Sequence, residues 1–191
     1  FAKDPVLRKP SSDTVKKHPF IPLENLGVTY YHIRTSKASE CMKAFLMIGT
    51  YTGLRVGSYV DLKWKDYDEA KQLFIIPKEN IKNRRAINCP IPSQAKELLA
   101  RVKEIQKSLQ GSKWNPDMYI FSDKGNKHLS DQSGRVTFQR ILERNNLPKS
   151  VLHGFRTVTQ LLWDKQNFTN NAINVQLDHT QVGSSSVIDR Y

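Results

Sequence analysis

The stretch LHGFRTVTQLLWDKQNFTNNAINVQLDHTQVGSSSVIDRY, from Leu152 to Tyr191, gathers the residue types that phosphate chemistry uses. His153 and Arg156 stand three apart, His179 follows, and Tyr191 is the last residue. Residues at i and i+3 of a helix share a face, so His153 and Arg156 can address one phosphate together. The guanidinium fork matches two phosphate oxygens and stays charged at any working pH. An imidazole donates, or exchanges a proton, near neutrality. A phosphodiester in transfer gathers negative charge on its non-bridging oxygens, where fixed cations and donors stabilise it. A phenol such as that of Tyr191 can attack phosphorus and hold it as a covalent ester. A plainer reading stands beside this one: H-x-x-R arises by chance on any basic helix, and a tyrosine in last position is commonly a surface residue.

The composition narrows the partner. Thirty Lys and Arg against 18 Asp and Glu give a formal net charge of +12 over 191 residues. Such an excess points to a polyanion, because lysine and arginine displace counterions from a phosphate backbone. No apolar run approaches the ~18 residues of a spanning helix, and no signal-peptide or lipidation pattern is visible. A cytoplasmic protein with no membrane partner is therefore expected. Cys41 and Cys89 sit in apolar contexts without metal-ligand spacing and read as reduced structural thiols, with no metal site. The length suits one sizeable domain, or a domain with a short arm.

The elements that must position the chemistry can be read in order. Residues 1–20, FAKDPVLRKPSSDTVKKHPF, carry three prolines, paired serines and no apolar period, and read as a linker or arm, solvated or tracking a phosphate backbone. The opening at Phe1 suggests a DNA-binding domain upstream, with residues 21–191 forming the catalytic domain. Pro22 suits the first turn of a helix running through Leu26 and Tyr30. Ser36 or Ser39 can cap a second, ECMKAFLMIGTYTG, apolar enough to be buried on most sides and ended by Gly53. Arg55 follows at once, where an unpaired charge is costly, so it pairs with a carboxylate or faces a bound anion.

Between Asp61 and Pro92 the period becomes that of strands. Leu62 to Trp64, Leu73 to Ile76 and Arg84 to Ile91 predict a small three-stranded antiparallel sheet. The second connection, PKENIKNRR, crowds Lys78, Lys82, Arg84 and Arg85 at one end of it. A lysine at such a tip can reach into a groove or protonate a leaving oxygen, or the charges simply guard a sheet edge. Ser93 then caps a helix over 94–109 with Leu98, Leu99, Val102 and Ile105 as its stripe. Met118 to Phe121 reads as a short buried strand, and Ser130 or Asp131 starts a helix through Val136, Phe138, Ile141 and Leu142 that Pro148 stops. The fold class is thus α+β, mainly α.

In this order, TGLRVGS, a hairpin lysine in ENIKNRRAINCPIP, LHGFR, LDH and then a tyrosine, the chain resembles the catalytic domain of a tyrosine recombinase of the phage-integrase type, from about Pro22 to Tyr191. The resemblance implies that Arg55 and Arg156 clamp the scissile phosphate from two sides. It implies that Lys82 protonates the 5′ leaving oxygen, with Lys78, Arg84 and Arg85 as flanking DNA contacts. His153 would be a donor or general acid/base, His179 a second donor, and Tyr191 the nucleophile that forms a 3′-phosphotyrosine. No metal, ATP or other cofactor is implied. The partners implied are double-stranded attachment sites, a tetramer on paired sites, accessory DNA-bending proteins and a tail beyond Tyr191 that packs on a neighbouring protomer. Integration or excision of a prophage or genomic island fits this best. A type IB topoisomerase shares the chemistry, and a DNA-binding module that has lost cleavage is the alternative from another class.

Two positions depart from the family pattern. Relatives commonly carry an acidic residue where this chain has Ser58, for which Asp61 is a candidate replacement. They also hold the tyrosine closer to the histidine, in a window that Ile188 and Asp189 occupy here. A slightly longer loop through Gly183 and the following serines would bring Tyr191 into place.

Overall fold

The computed structural model describes residues 18–80, 86–169 and 177. Of the residues singled out above, Lys82, Arg84, Arg85, His179 and Tyr191 lie outside the described residues, as does most of the 1–20 arm. Six helices and three strands make up the described fold: α1 (Leu23–Thr35), α2 (Glu40–Thr52), α3 (Val56–Tyr59), β1 (Tyr67–Asp68), β2 (Leu73–Ile76), β3 (Ile87–Pro90), α4 (Ser93–Gln110), α5 (Asp131–Arg144) and α6 (Gly154–Lys165). No described helix is long and apolar enough to cross a membrane.

The other helices assemble around α2. Its residues from Cys41 to Thr50 are buried with one exception, Lys43, and it packs against α1, α4, α5 and α6. A helix apolar on nearly every side belongs in the middle of a core. Ser39 begins it by accepting a hydrogen bond from the Met42 amide at 3.2 Å. Gly53 ends it in the left-handed region at φ 63°. A Cβ there would come within 2.6 Å of Leu177 Cδ2 and 3.1 Å of Thr159 Cβ, so this turn needs glycine both for its φ and for its close approach to α6.

The sheet is antiparallel in the order β1-β2-β3, with Phe74 opposite Cys89 and Ile76 opposite Ile87. These four side chains are buried, while Ile75 and Asn88 between them are exposed, the two-residue alternation of a sheet with one covered face. Three strands are present as predicted, but the first is Tyr67–Asp68 rather than Leu62 to Trp64. The earlier segment pairs elsewhere: Lys63 bridges Tyr119, with the Ile120 amide donating to the Leu62 carbonyl at 2.8 Å and the Trp64 amide to that of Met118 at 3.0 Å. Trp64 to Asp66 then wind into a 3-10 turn that stops the ladder. The predicted strand at Met118 to Phe121 is this bridge's other half.

What holds that segment is a glutamine. Gln106 is buried on α4, donating from Nε2 to the carbonyls of Tyr119, Ile120 and Ser122 and accepting from Trp64 Nε1 at 2.7 Å. The inward face of α4 is accordingly Ala95, Leu99, Val102 and Gln106, and Ile105 from the predicted stripe is turned outward. Ser93 is the first residue of α4, with Pro92 in the capping position and no side-chain cap. Both cysteines are buried free thiols.

Candidate active site

Two helix starts meet at one cleft. The left-handed turn at Gly53 reverses the chain, Leu54 anchors it in the core, and Arg55 takes the N-cap position of α3. On the other side Leu152 is buried and His153 takes the N-cap position of α6. Thr159, six residues further on, donates to the Thr50 carbonyl at 2.7 Å and fixes α6 against the end of α2. Arg55 and His153 thereby line a common cleft of about 480 Å³, together with Val56, Gly57, Val151 and Leu152. The first turn of α6 contains no acidic residue. The Gly154, Phe155 and Arg156 amides donate to the carbonyls of Val151, Leu152 and His153, so what the start of α6 offers an anion is the partial positive charge of the helix dipole.

The opposite wall comes from α5. Asp131, Arg135 and Gln139, spaced at i, i+4 and i+8, line the same cleft. Arg135 Nη2 donates to Asp131 Oδ2, and Gln139 Nε2 donates to the Ser150 carbonyl just before the α6 turn. None of these three was a candidate site residue in the sequence, where Asp131 figured only as a helix start, although their helical spacing was there to be seen. The cleft also contains His18, from the end of the stretch read as an arm.

Arg156 lies beneath this surface and is only 8% exposed. Its Nη1 donates to the Gly53 carbonyl at 3.2 Å and its Nη2 to the carbonyl of Leu177. One buried fork therefore joins α6, the turn that presents Arg55, and the segment two residues before His179. A buried guanidinium needs such acceptors to offset its lost hydration.

Burial and the neighbouring side chains set the electrostatics of the cleft. The His153 imidazole is held below its ordinary proton affinity, first by partial burial and then by His18, Arg156 and Arg55. Its resting form at neutral pH is the uncharged ring, able to take up a proton when negative charge arrives. Lys78 is exposed at the start of a 3-10 turn, Lys78–Asn80, that packs against α3. In the same turn Asn80 Nδ2 donates to Asp61 Oδ1 at 2.7 Å, so Asp61 braces the end of α3 against the hairpin. Ser58 is buried within α3.

Among the predicted site residues, the structure thus brings Arg55, His153 and Arg156 to one place and sets Lys78 on the neighbouring element. Comparison with known proteins identifies the family and the fold. The Phage integrase family matches residues 25–189. The integrase of Shigella phage Sf6 is 23% identical over 175 residues, covering 88% of this chain and 42% of that protein's length. The chain therefore spans less than half of this curated relative. Among solved structures, XerA recombinase superposes with a TM-score of 0.72 at 16% identity, over 92% of this chain and 61% of that one. The Tn1549 transposon integrase in complex with circular intermediate DNA gives a TM-score of 0.71 at 15% identity, over 90% and 60%. At such identities the likeness establishes the fold.

Proposed function

The chain belongs to the phage integrase family and has the fold of a tyrosine recombinase catalytic domain, and from that premise we propose that it cleaves and rejoins DNA at specific sites through a 3′-phosphotyrosyl intermediate. The observation that carries this reading is the cleft shared by Arg55 and His153 at the N-terminus of α6, with the Arg156 guanidinium directly below. A single phosphodiester seated there meets a fixed cation, an imidazole and a helix N-terminus, the kinds of group that stabilise charge on non-bridging oxygens.

In the proposed reaction the Tyr191 phenolate oxygen bonds to phosphorus as the bond from phosphorus to the 5′ oxygen breaks. The phenol gives up its proton to the His153 imidazole acting as general base, the 5′ oxygen gains one from Lys82 and leaves as a hydroxyl, and the phosphodiester charge is conserved in the protein ester. His153 exchanges protons near the phosphate, and His179 donates to a non-bridging oxygen. Since the ester retains the bond's free energy, a 5′ hydroxyl of another strand reverses the step without a metal or nucleotide. Lys78, Arg84 and Arg85 are proposed to contact the flanking backbone. The substrate is double-stranded attachment-site DNA, engaged in the cytoplasm by a tetramer on paired sites with accessory bending proteins, for integration or excision of a prophage or genomic island. The excess of 12 positive charges supports a DNA partner.

The test is incubation with nicked suicide DNA carrying candidate attachment sites, scored for a denaturation-resistant adduct. An adduct formed without added metal, mapped to Tyr191 and lost in Tyr191→Phe, is the expected result. Tight binding without an adduct, on a site that an active relative cleaves, would instead assign a DNA-binding module that has lost cleavage.

A further inference from the structure

The residues just before α1 do not leave the body of the protein at once. The Val151 amide donates to the Pro19 carbonyl at 3.2 Å, Ser150 Oγ donates to the same carbonyl at 3.4 Å, and Ile21 is buried at 1% exposure. Gly154, the first residue of α6, is shaped to this strap. A Cβ there would lie 2.4 Å from the Pro19 carbonyl oxygen and 2.9 Å from Phe20 Cα, both backbone atoms that cannot yield cheaply. Residues 18–21 are thus seated across the start of the helix that His153 caps. The strap delivers one side chain into the cleft: the His18 ring meets the His153 ring edge to face, centroids 4.6 Å apart and planes at 66°.

We propose that His18 is a positioning residue of the cleft, clamped by the 18–21 strap against the His153 ring so that this imidazole is held in its working orientation toward a bound phosphate. The inference rests on the phosphoryl-transfer reading above and adds to it a part for the segment preceding the domain's first helix. Edge-to-face rings at this separation attract one another beyond simple burial, and the contact covers one side of His153. The groups facing His153 are His18 from the strap, Arg55 from the start of α3, Arg156 from α6, and Asp131 and Arg135 across the cleft from α5. After partial burial, His18 is the next of the neighbours that lower the proton affinity of His153, so its removal shifts His153 back toward ordinary titration.

The test pairs two measurements on the chain and on His18→Ala and His18→Phe. The first is NMR titration of the His153 imidazole without DNA, assigned with His153→Gln. The second is the pH profile of single-turnover adduct formation on nicked suicide DNA. In His18→Ala the His153 midpoint is expected to rise, the cleavage profile to move with it, and the plateau rate to fall on the order of tenfold from lost orientation. His18→Phe keeps the ring edge without the charge and should restore most of the plateau while leaving the midpoint raised. An unchanged His153 midpoint in His18→Ala overturns the proposal, as does a plateau loss that His18→Phe fails to restore. A wild-type chain that forms no adduct refutes the recombinase reading, and the DNA-free titration then upholds or overturns the His18 contact by itself.

Discussion

Arg156 Nη1 donates to the carbonyl of Gly53 at 3.2 Å, joining the helix that His153 caps to the turn that presents Arg55. The other arm of the same fork reaches the Leu177 carbonyl. The arginine therefore sets the geometry between parts of the cleft as well as its charge. Arg156→Lys keeps the charge but has one ammonium where two carbonyls require a fork. We expect adduct formation to fall by about 10²–10³-fold and stability by about 1–3 kcal/mol from the abandoned acceptor. Single-turnover cleavage and urea unfolding measure the two effects. A lysine variant with unchanged stability would show that the buried fork does not brace the turn.

Gly53 is the other partner in that relationship. With φ at 63° and Leu177 and Thr159 against it, Gly53→Ala meets both backbone strain and a clash. A loss of about 1–3 kcal/mol is expected from the strained φ alone. Thermal melting checks it, and cleavage should drop as well because Arg55 is two residues away. A melting temperature equal to that of wild type would contradict the tight packing of this turn.

Much of this was readable in advance because periodicity and turn chemistry are local. Gly53 ends α2 as the sequence suggested, Ser39 and Ser130 are the caps among the paired candidates, and Pro22 falls one residue before the first turn of α1, while the buried alternation in β2 and β3 follows from side-chain period alone. Leu62 to Trp64 was a strand in pattern, yet which partner it finds is a tertiary matter, settled by a polar side chain 42 residues away. Gln106 sits next to the hydrophobic Ile105, and nothing in the local pattern says that the amide turns inward. The cleft shows the same division: Arg55, His153 and Arg156 belong to recognisable motifs, whereas His18 and the α5 face enter it only through folding.

Gln106 makes this dependence measurable. Gln106→Met preserves approximate volume but removes the donor for three carbonyls and the acceptor for Trp64 Nε1. Each orphaned buried group costs about 1–3 kcal/mol before relaxation. Partial rearrangement of the 119–122 loop should leave a net loss of about 2–4 kcal/mol, within the range for a broken buried network. Denaturant unfolding should detect it, while cleavage per folded molecule stays near wild type since the residue is remote from the cleft. Wild-type stability would mean that the loop is held by its backbone bridge alone.

The depressed proton affinity of His153 carries a sign. In the free cleft the ring is neutral at pH 7, and its folded-state value lies below the unfolded one. Its contribution to stability is therefore present above the unfolded value and lost as pH falls through the folded value. A bound phosphodiester reverses the local field and favours the imidazolium, so binding takes up a proton. DNA affinity at fixed salt should accordingly strengthen as pH falls from about 8 to about 5, the range in which imidazoles titrate, and His153→Gln should remove that component. Binding isotherms across this range decide the matter, and a pH dependence unaltered in His153→Gln would assign it to other groups.

Arg135 tests whether the α5 wall faces DNA. Its guanidinium is largely exposed, its partner Asp131 occupies only part of the fork, and both line the cleft with Arg55. Contact with a phosphate would make Arg135→Ala weaken binding uniformly across sequences and lower the slope of log affinity against log salt by about 1. The fold should be unaffected, because an exposed pair within one helix contributes only about 0.3–0.5 kcal/mol. Titrations at several salt concentrations on specific and unrelated duplexes separate the possibilities. A parallel salt line with unchanged affinity would place the DNA path away from α5, and a loss confined to one sequence would make Arg135 a reader of bases rather than of the backbone.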